Sequence, residues 1–356
     1  MKNILILNES IITNNYNITK LDLNNICEGS GRQSYMLYLF LSKIYNTYWI
    51  STSILKSLNI VKNIDELNYN INYDIIFCIN YSDKLYNTIL KLKNINKNCK
   101  IIFIASNTYY DKDIINNLNK ICDKFIFISN YGKSRDGINI NENKQIVIPN
   151  IVTFDKYKKI NLEKKKNNII ISYHFWKGNI DIFIKNIFPL IIKKIKDVQL
   201  IITTPVYGDN NYDCETLNEI INKNSTKETI NHIKFLGYLS QEDLFEQYEL
   251  SKVSWHYTRL PETFGYNVLD QLMFNIHPIT SFNDACKEFC TKQYIQKFKY
   301  DYNLLNDYQK CADIIIDRIQ NYDKYFYLFN DIHEHIINTF NYENITNKYN
   351  ILINNI

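Results

Sequence analysis

Two carboxylates and one glycine carry the clearest chemical signal in the chain. Glu262 and Asp270 flank Gly265 in the run Pro261-Glu262-Thr-Phe-Gly265-Tyr-Asn-Val-Leu-Asp270. Upstream, Val253 to Tyr257 is a short run of apolar and aromatic residues that reads as a buried strand, because such side chains suit a pleated surface. Downstream, Val268, Leu269, Leu272 and Met273 recur at helical period. Asn275 follows the last of them, where a left-handed C-cap falls, and Pro278 opens another short strand. Glu262 is therefore predicted in the loop above one strand and Asp270 one to two turns into the next helix. At about 1.5 Å per residue, the two can hold opposite ends of one elongated ligand. Between them the N–H groups of Gly265, Tyr266 and Asn267 head the helix, a ready site for an anion.

A second candidate lies near the start, where Gly29-Ser30-Gly31-Arg32 precedes the first helical pattern. The chain holds only 8 Gly, 5 Pro and four Arg among 356 residues, against an excess of Asn, Ile, Lys and Tyr. In that background Lys and Asn carry little information, and Gly and Arg carry more. Paired glycines let backbone N–H groups approach a phosphate or a sugar. Asp111 and Asp113 have the spacing of a metal-binding pair, but their place before a helical run makes them an N-terminal charge pair. His333 and His335 stand two apart on a helix and do not share a face.

The elements that must position these residues alternate throughout. Strands are expected at Ile4–Leu7, Trp49–Ser53, Asp74–Ile79, Lys100–Ala105, Lys124–Ser129 and Gln145–Ile148, with helices such as Ser34–Lys43 and Tyr81–Lys93 between them. The polar, basic run Lys156–Asn168 lacks an apolar period and reads as a linker. The alternation then restarts with strands at Asn168–Ser172, Val198–Thr203, Ile233–Leu236, Val253–Tyr257 and Pro278–Ser281. This pattern calls for doubly wound parallel sheets, whose ligands bind beyond the carboxyl ends of the strands. The length suits two domains. A hydrophobic content of 46% with 22% charged residues is that of a soluble globular chain, and a net charge of +4 falls short of a nucleic-acid footprint. It suits anionic ligands or weak attraction to an anionic membrane surface. The eight cysteines are scattered without a zinc spacing. With no signal-peptide pattern and no apolar run of spanning length, a cytoplasmic protein with free thiols is expected.

The acid-x7-acid run with Phe-Gly inside it resembles the signature of the retaining GT-B glycosyltransferases of family 4, with Asp270 where the family usually has Glu. Val147-Ile-Pro-Asn150 resembles the segment that closes the family's first domain. Lys177-Gly178 resembles the last part of its Gly-Arg-x4-Lys-Gly element, with Ser172 in place of the Arg. His232–Asp243 resembles a loop that frames the nucleotide base, and Phe340–Tyr349 resembles the final helix. The resemblance implies two Rossmann-like doubly wound domains facing a central cleft. They would be residues 1–155 for the acceptor and 169–338 for the nucleotide-sugar, joined by 156–168, with 339–356 returning to the first domain.

It also implies roles. Glu262 and Lys177 are the catalytic candidates, Glu262 on the sugar hydroxyls and Lys177 on the diphosphate. Asp270 would hold the ribose diol, and the amides of Gly265, Tyr266 and Asn267 the diphosphate. Gly237 and Tyr238 would line the base. Gly29, Ser30 and Gly31 would face the donor, and Arg259, or the hydroxyl and imidazole of Tyr173 and His174, would compensate for the missing Arg. Arg32, and Asn107 where the family often has a His, would contact acceptor or sugar. The implied donor is a UDP- or GDP-sugar, with no other cofactor and no metal expected. The expected acceptor is a glycan, a lipid-linked molecule or a small molecule. Two alternatives stay open: a sugar-nucleotide epimerase of the same fold, and a GT-B-like binding module without catalysis.

Overall fold

The computed structural model describes residues 1–9, 29–52, 60–106, 111–136, 140–154, 157, 165, 167–172, 179–204, 214–258, 260–281, 283–298 and 304–356. The chain divides into two compact units, Met1–Thr153 with Phe340–Ile356, and Phe154–Thr339.

The first unit holds a seven-stranded sheet. Its strands are β1 (Asn3–Asn8), β2 (Asn46–Ser51), β3 (Lys62–Asn63), β4 (Ile75–Ile79), β5 (Lys100–Ala105), β6 (Lys124–Phe127) and β7 (Gln145–Val147), in the order β3-β2-β1-β4-β5-β6-β7. Every pairing is parallel. The central strands are almost wholly buried, as continuous apolar runs such as Ile75-Ile-Phe-Cys-Ile79 require when helices cover both faces. The two-residue edge strand β3 was not anticipated, because Lys62 and Asn63 carry no strand signal. The chain winds outward from β1 to β3 and then resumes beside β1 at β4, so the order reverses between β1 and β4. The helix Tyr342–Asn354 belongs to this unit. Tyr349 packs its ring near Phe40 and Phe77, and Lys2 Nζ donates to the Ile353 carbonyl at 2.8 Å.

The second unit repeats the plan with five parallel strands. These are β8 (Ile169–Ser172), β9 (Gln199–Thr203), β10 (Ile233–Gly237), β11 (Val253–Trp255) and β12 (His277–Ile279), in the order β10-β9-β8-β11-β12. Here the order reverses between β8 and β11. Trp255 stacks on Phe183 at 4.5 Å between ring centres, fixing β11 to the helical run Ile180–Lys194. The β11 ladder stops at Trp255, two residues short of the expected strand, because the chain turns out there into the loop that carries Glu262. Lys165 departs from the expected polar linker: it is 2% exposed and donates to the carbonyls of Tyr248 (2.9 Å) and Ser251 (2.5 Å), capping the helix Gln241–Leu250. Burial pushes its ammonium down to about 7.

Among the described residues no helix is long and apolar enough to cross a membrane. Six cysteines there are buried free thiols.

Candidate functional site

In an open parallel sheet the helices on either side of an order reversal diverge, leaving a crevice beyond the carboxyl ends of the two strands. In the second unit those strands are β8, ending at Ser172, and β11, ending at Trp255. The chain leaves β11 through the buried residues His256, Tyr257 and Thr258 and reaches Glu262 at the rim. Thr263 and Phe264 turn back inward, Phe264 packing edge-on against Tyr266 and Phe289 at 4.8 and 5.1 Å. The hydroxyls of Ser172 at the end of β8, of Thr258 three residues beyond β11 and of Thr280 just beyond β12 lie at this same edge, buried and without a hydrogen-bond partner among the described residues. Buried polar atoms rarely stay unpaired, so such a cluster marks a place where ligand or solvent belongs.

Gly265 then starts the helix Tyr266–Met273 from a left-handed conformation, φ 83° and ψ 56°. A side chain there would place Cβ 2.5 Å from the Cys286 sulfur. The position therefore demands glycine twice over, by dihedral and by space. Having no side chain, Gly265 makes no capping bond to the first turn. The N–H groups of Tyr266 and Asn267 lie outside the intrahelical ladder and point out of its positive end. The helix is locked below by Ser254 Oγ donating to Gln271 Oε1 at 2.6 Å, and it ends at Asn275 with φ 56°, as its position after the periodic residues implied.

Asp270 lies one turn into this helix and is 2% exposed. Its Oδ1 accepts a hydrogen bond from the Tyr157 hydroxyl at 2.5 Å, and the Tyr157 ring rests among Phe154, Phe245 and Phe274 at 5.9 to 6.3 Å. Asp284 holds the other end. Its Oδ2 accepts from the Glu262 N–H and its Oδ1 from the Cys286 N–H, both at 3.0 Å, while the Ala285 N–H returns to the Glu262 carbonyl at 3.1 Å. Burial pushes the Asp284 carboxyl up, the two N–H donors pull it back, and the nearby Glu262 carboxylate pushes it up again.

Of the residues singled out from the sequence, Glu262, Gly265, Tyr266, Asn267 and Asp270 thus form one loop and helix at the switch point. Gly237 and Tyr238 sit on the same edge of the sheet at the end of β10, three strand spacings or roughly 14 Å away. Gly237 has φ 64° at an irregularity in the ladder, and its carbonyl accepts from the Thr204 N–H at 3.0 Å.

Gly29, Ser30, Gly31 and Arg32 belong to the first unit. They are not a loop before the helix, as expected, but the first turn of the helix Gly29–Leu41 itself. Low-propensity residues are tolerated there because the first-turn N–H groups take no part in the ladder. That turn lies against β1: the Ser34 hydroxyl donates to the Ser30 and Gly31 carbonyls, and Asn8 Nδ2 donates to it in turn, all at 3.0 Å. Lys177, Arg259, Tyr173, His174 and Asn107 lie outside the described residues.

Asp111 caps its helix, and His333 and His335 bond to the backbone oxygens of Leu272 and Glu288, so the structural roles assigned to them hold. Asp284 and Tyr157 were missed. Asp284 bonds to a residue 22 positions away, beyond any local pattern. Tyr157 is one of 29 tyrosines.

No family model matches the chain, and no curated protein is significantly similar to it. Solved structures do match. HepE of Anabaena in complex with UDP superposes with a TM-score of 0.74 over all of both chains at 14% identity. A glycosyltransferase from Rickettsia africae gives 0.70 over 99% of this chain and 97% of that one at 17% identity. Sucrose-phosphate synthase from Thermosynechococcus elongatus gives 0.65 over 100% and 99% at 13% identity. Two doubly wound parallel-sheet units, matched from end to end by such structures, give this chain the GT-B fold.

Proposed function

We propose that the chain is a retaining glycosyltransferase of the family 4 type, moving a sugar from a UDP- or GDP-sugar to an acceptor hydroxyl without a metal ion. The observation that carries this is the joint placement of Glu262, the Gly265 helix start and Asp270 at the second unit's switch point. A nucleotide-diphosphate sugar needs a carboxylate for sugar hydroxyls, amide donors for the diphosphate and an acceptor for the ribose diol, in that order. HepE, which shares the fold at low identity, is known in complex with UDP and with UDP-glucose.

In this mechanism the acceptor oxygen attacks the anomeric carbon from the face that the diphosphate leaves. The bond from carbon to phosphate oxygen breaks, that oxygen takes the acceptor's proton, and the products are a glycoside and a nucleoside diphosphate. The chain's part is electrostatic: the Tyr266 and Asn267 amides, with Lys177, stabilise charge growing on the diphosphate. Glu262 orients the sugar, and Gly237 and Tyr238 border the base. A glycan, a lipid-linked molecule or a small molecule serves as acceptor, the second of these drawing the basic chain to a membrane surface.

The test is a thermal-shift screen of nucleotide-sugars, followed by product analysis with EDTA present. A ligand at one hundred times its Kd adds about 2.7 kcal/mol of stability. Stabilisation by a nucleoside diphosphate and an α-linked product from an α-linked donor, formed in chelator, is the expected result. Activity lost to EDTA and restored by manganese removes the metal-independent mechanism. Epimerised donor without acceptor identifies an epimerase, and binding without turnover across an acceptor panel identifies a binding module.

A further inference from the structure

We infer that Asp284 is a positioning residue for glycosyl transfer, fixing the loop that carries Glu262; the assignment rests on the transferase reading above. Glu262 lies in a stretch with neither strand nor helix to hold its backbone. What holds it comes from the loop after β12. Asp284 takes the Glu262 N–H at 3.0 Å, and Ala285 gives its own N–H to the Glu262 carbonyl at 3.1 Å. With both peptide groups of one residue fixed, the direction of its Cα–Cβ bond is fixed too. The Glu262 carboxylate is then left with side-chain torsions alone.

Capping does not account for this. As the N-cap of the turn Ala285–Phe289, Asp284 needs one oxygen, and that oxygen takes the Cys286 N–H. The second oxygen reaches across to the other loop. Both bonds are made by a carboxylate only 4% exposed, where charge-assisted hydrogen bonds are strong and geometrically demanding. The same turn presents the Cys286 sulfur against Gly265. One short segment therefore sets both the height of the sugar-binding acid and the entry of the anion-binding helix. Asp284 itself touches no substrate and moves no proton.

The test uses UDP-glucose as probe, reading UDP release for kcat and KM, with calorimetry for the Kd of UDP. Asp284→Asn keeps the shape but turns an NH₂ toward one of the two backbone N–H groups, and Asp284→Glu keeps the charge on a longer stem. Asp284→Asn is expected to lose about tenfold to a hundredfold in kcat, the scale of an ångström-sized misplacement. The Kd for UDP should stay within about threefold of wild type, because the helix amides remain. Asp284→Glu should recover part of the rate.

A kcat within about twofold of wild type in folded Asp284→Asn overturns the assignment. So does a parallel loss of rate and of UDP binding in both variants, which would make Asp284 a general support of the fold. Glu262→Gln in the same assay separates the two layers. If it loses turnover while Asp284→Asn keeps it, the transferase reading stands and the positioning role falls. A wild-type chain that binds neither UDP nor GDP, and releases neither from a UDP- or GDP-sugar, sinks the transferase reading, and the role of Asp284 with it.

Discussion

In the seven-stranded unit the helix after β1 begins at Gly29, so that Ser30, Gly31 and Arg32 are already wound into its first turn. In the five-stranded unit Gly265 stands outside the helix after β11, in a left-handed conformation, with a sulfur where its side chain would be. Both starts sit on strands that border an order reversal. They differ in what glycine contributes. Helical first-turn N–H groups can be supplied by any residue except proline, so glycine there adds little that alanine could not. At φ 83° beside Cys286 nothing but glycine fits, and the direction of the helix depends on it. Glycine at a helix head is thus informative only where backbone and neighbours leave no other choice.

The largest effect should come from the acid that only the second start carries. Glu262→Gln keeps shape and loses charge, and transfer should fall by at least about a hundredfold while the melting temperature holds. A rate near wild type would leave the two starts functionally alike. Next is Gly265→Ala. A left-handed alanine costs roughly 1–2 kcal/mol, and the clash with Cys286 adds to it, so UDP affinity should drop about tenfold or more with a lower melting temperature. Adding Cys286→Ala should return part of both losses, the part due to space. Asp270→Asn should weaken UDP by about tenfold, since a hydrogen bond to a charged group is worth about 1.5–3 kcal/mol, with little change in kcat. Tyr157→Phe, which removes the hydroxyl that Asp270 accepts, should weaken UDP less, by a few-fold. Wild-type UDP affinity in Asp270→Ala would mean that Asp270 serves Tyr157 alone. The smallest effect belongs to the first unit: Gly31→Ala should leave UDP affinity unchanged and raise stability by up to about 1 kcal/mol. A tenfold loss of UDP binding there would break the comparison.

Much of this was legible in the chain. Parallel strands buried on both faces leave unbroken apolar runs, so Ile75–Ile79 and Lys100–Ala105 announce themselves, and the helix bearing Asp270 shows its period through Val268, Leu269, Leu272 and Met273. The start of the first helix was misplaced because Gly29 and Gly31 are weak helix formers, and in a first turn propensity says little. The partners of the two acids were invisible for a different reason. Asp284 and Tyr157 act through contacts with residues 22 and 113 positions away, and no periodicity links positions so far apart. Lys165 likewise looked like one charge in a basic run, until two carbonyls of another element were seen to receive it.

The helix Tyr342–Asn354 has a consequence for how the chain is made. The seven-stranded unit is discontinuous in sequence, its last piece separated from the rest by all of residues 154–339. A ribosome adding about 5–20 residues per second needs roughly ten to forty seconds to cross that interval. Throughout it, Phe40, Phe77 and the Lys2 ammonium await a ring and a carbonyl that do not yet exist. The five-stranded unit is continuous and can close before the first one does. The half of the molecule synthesised first is thus the half completed last.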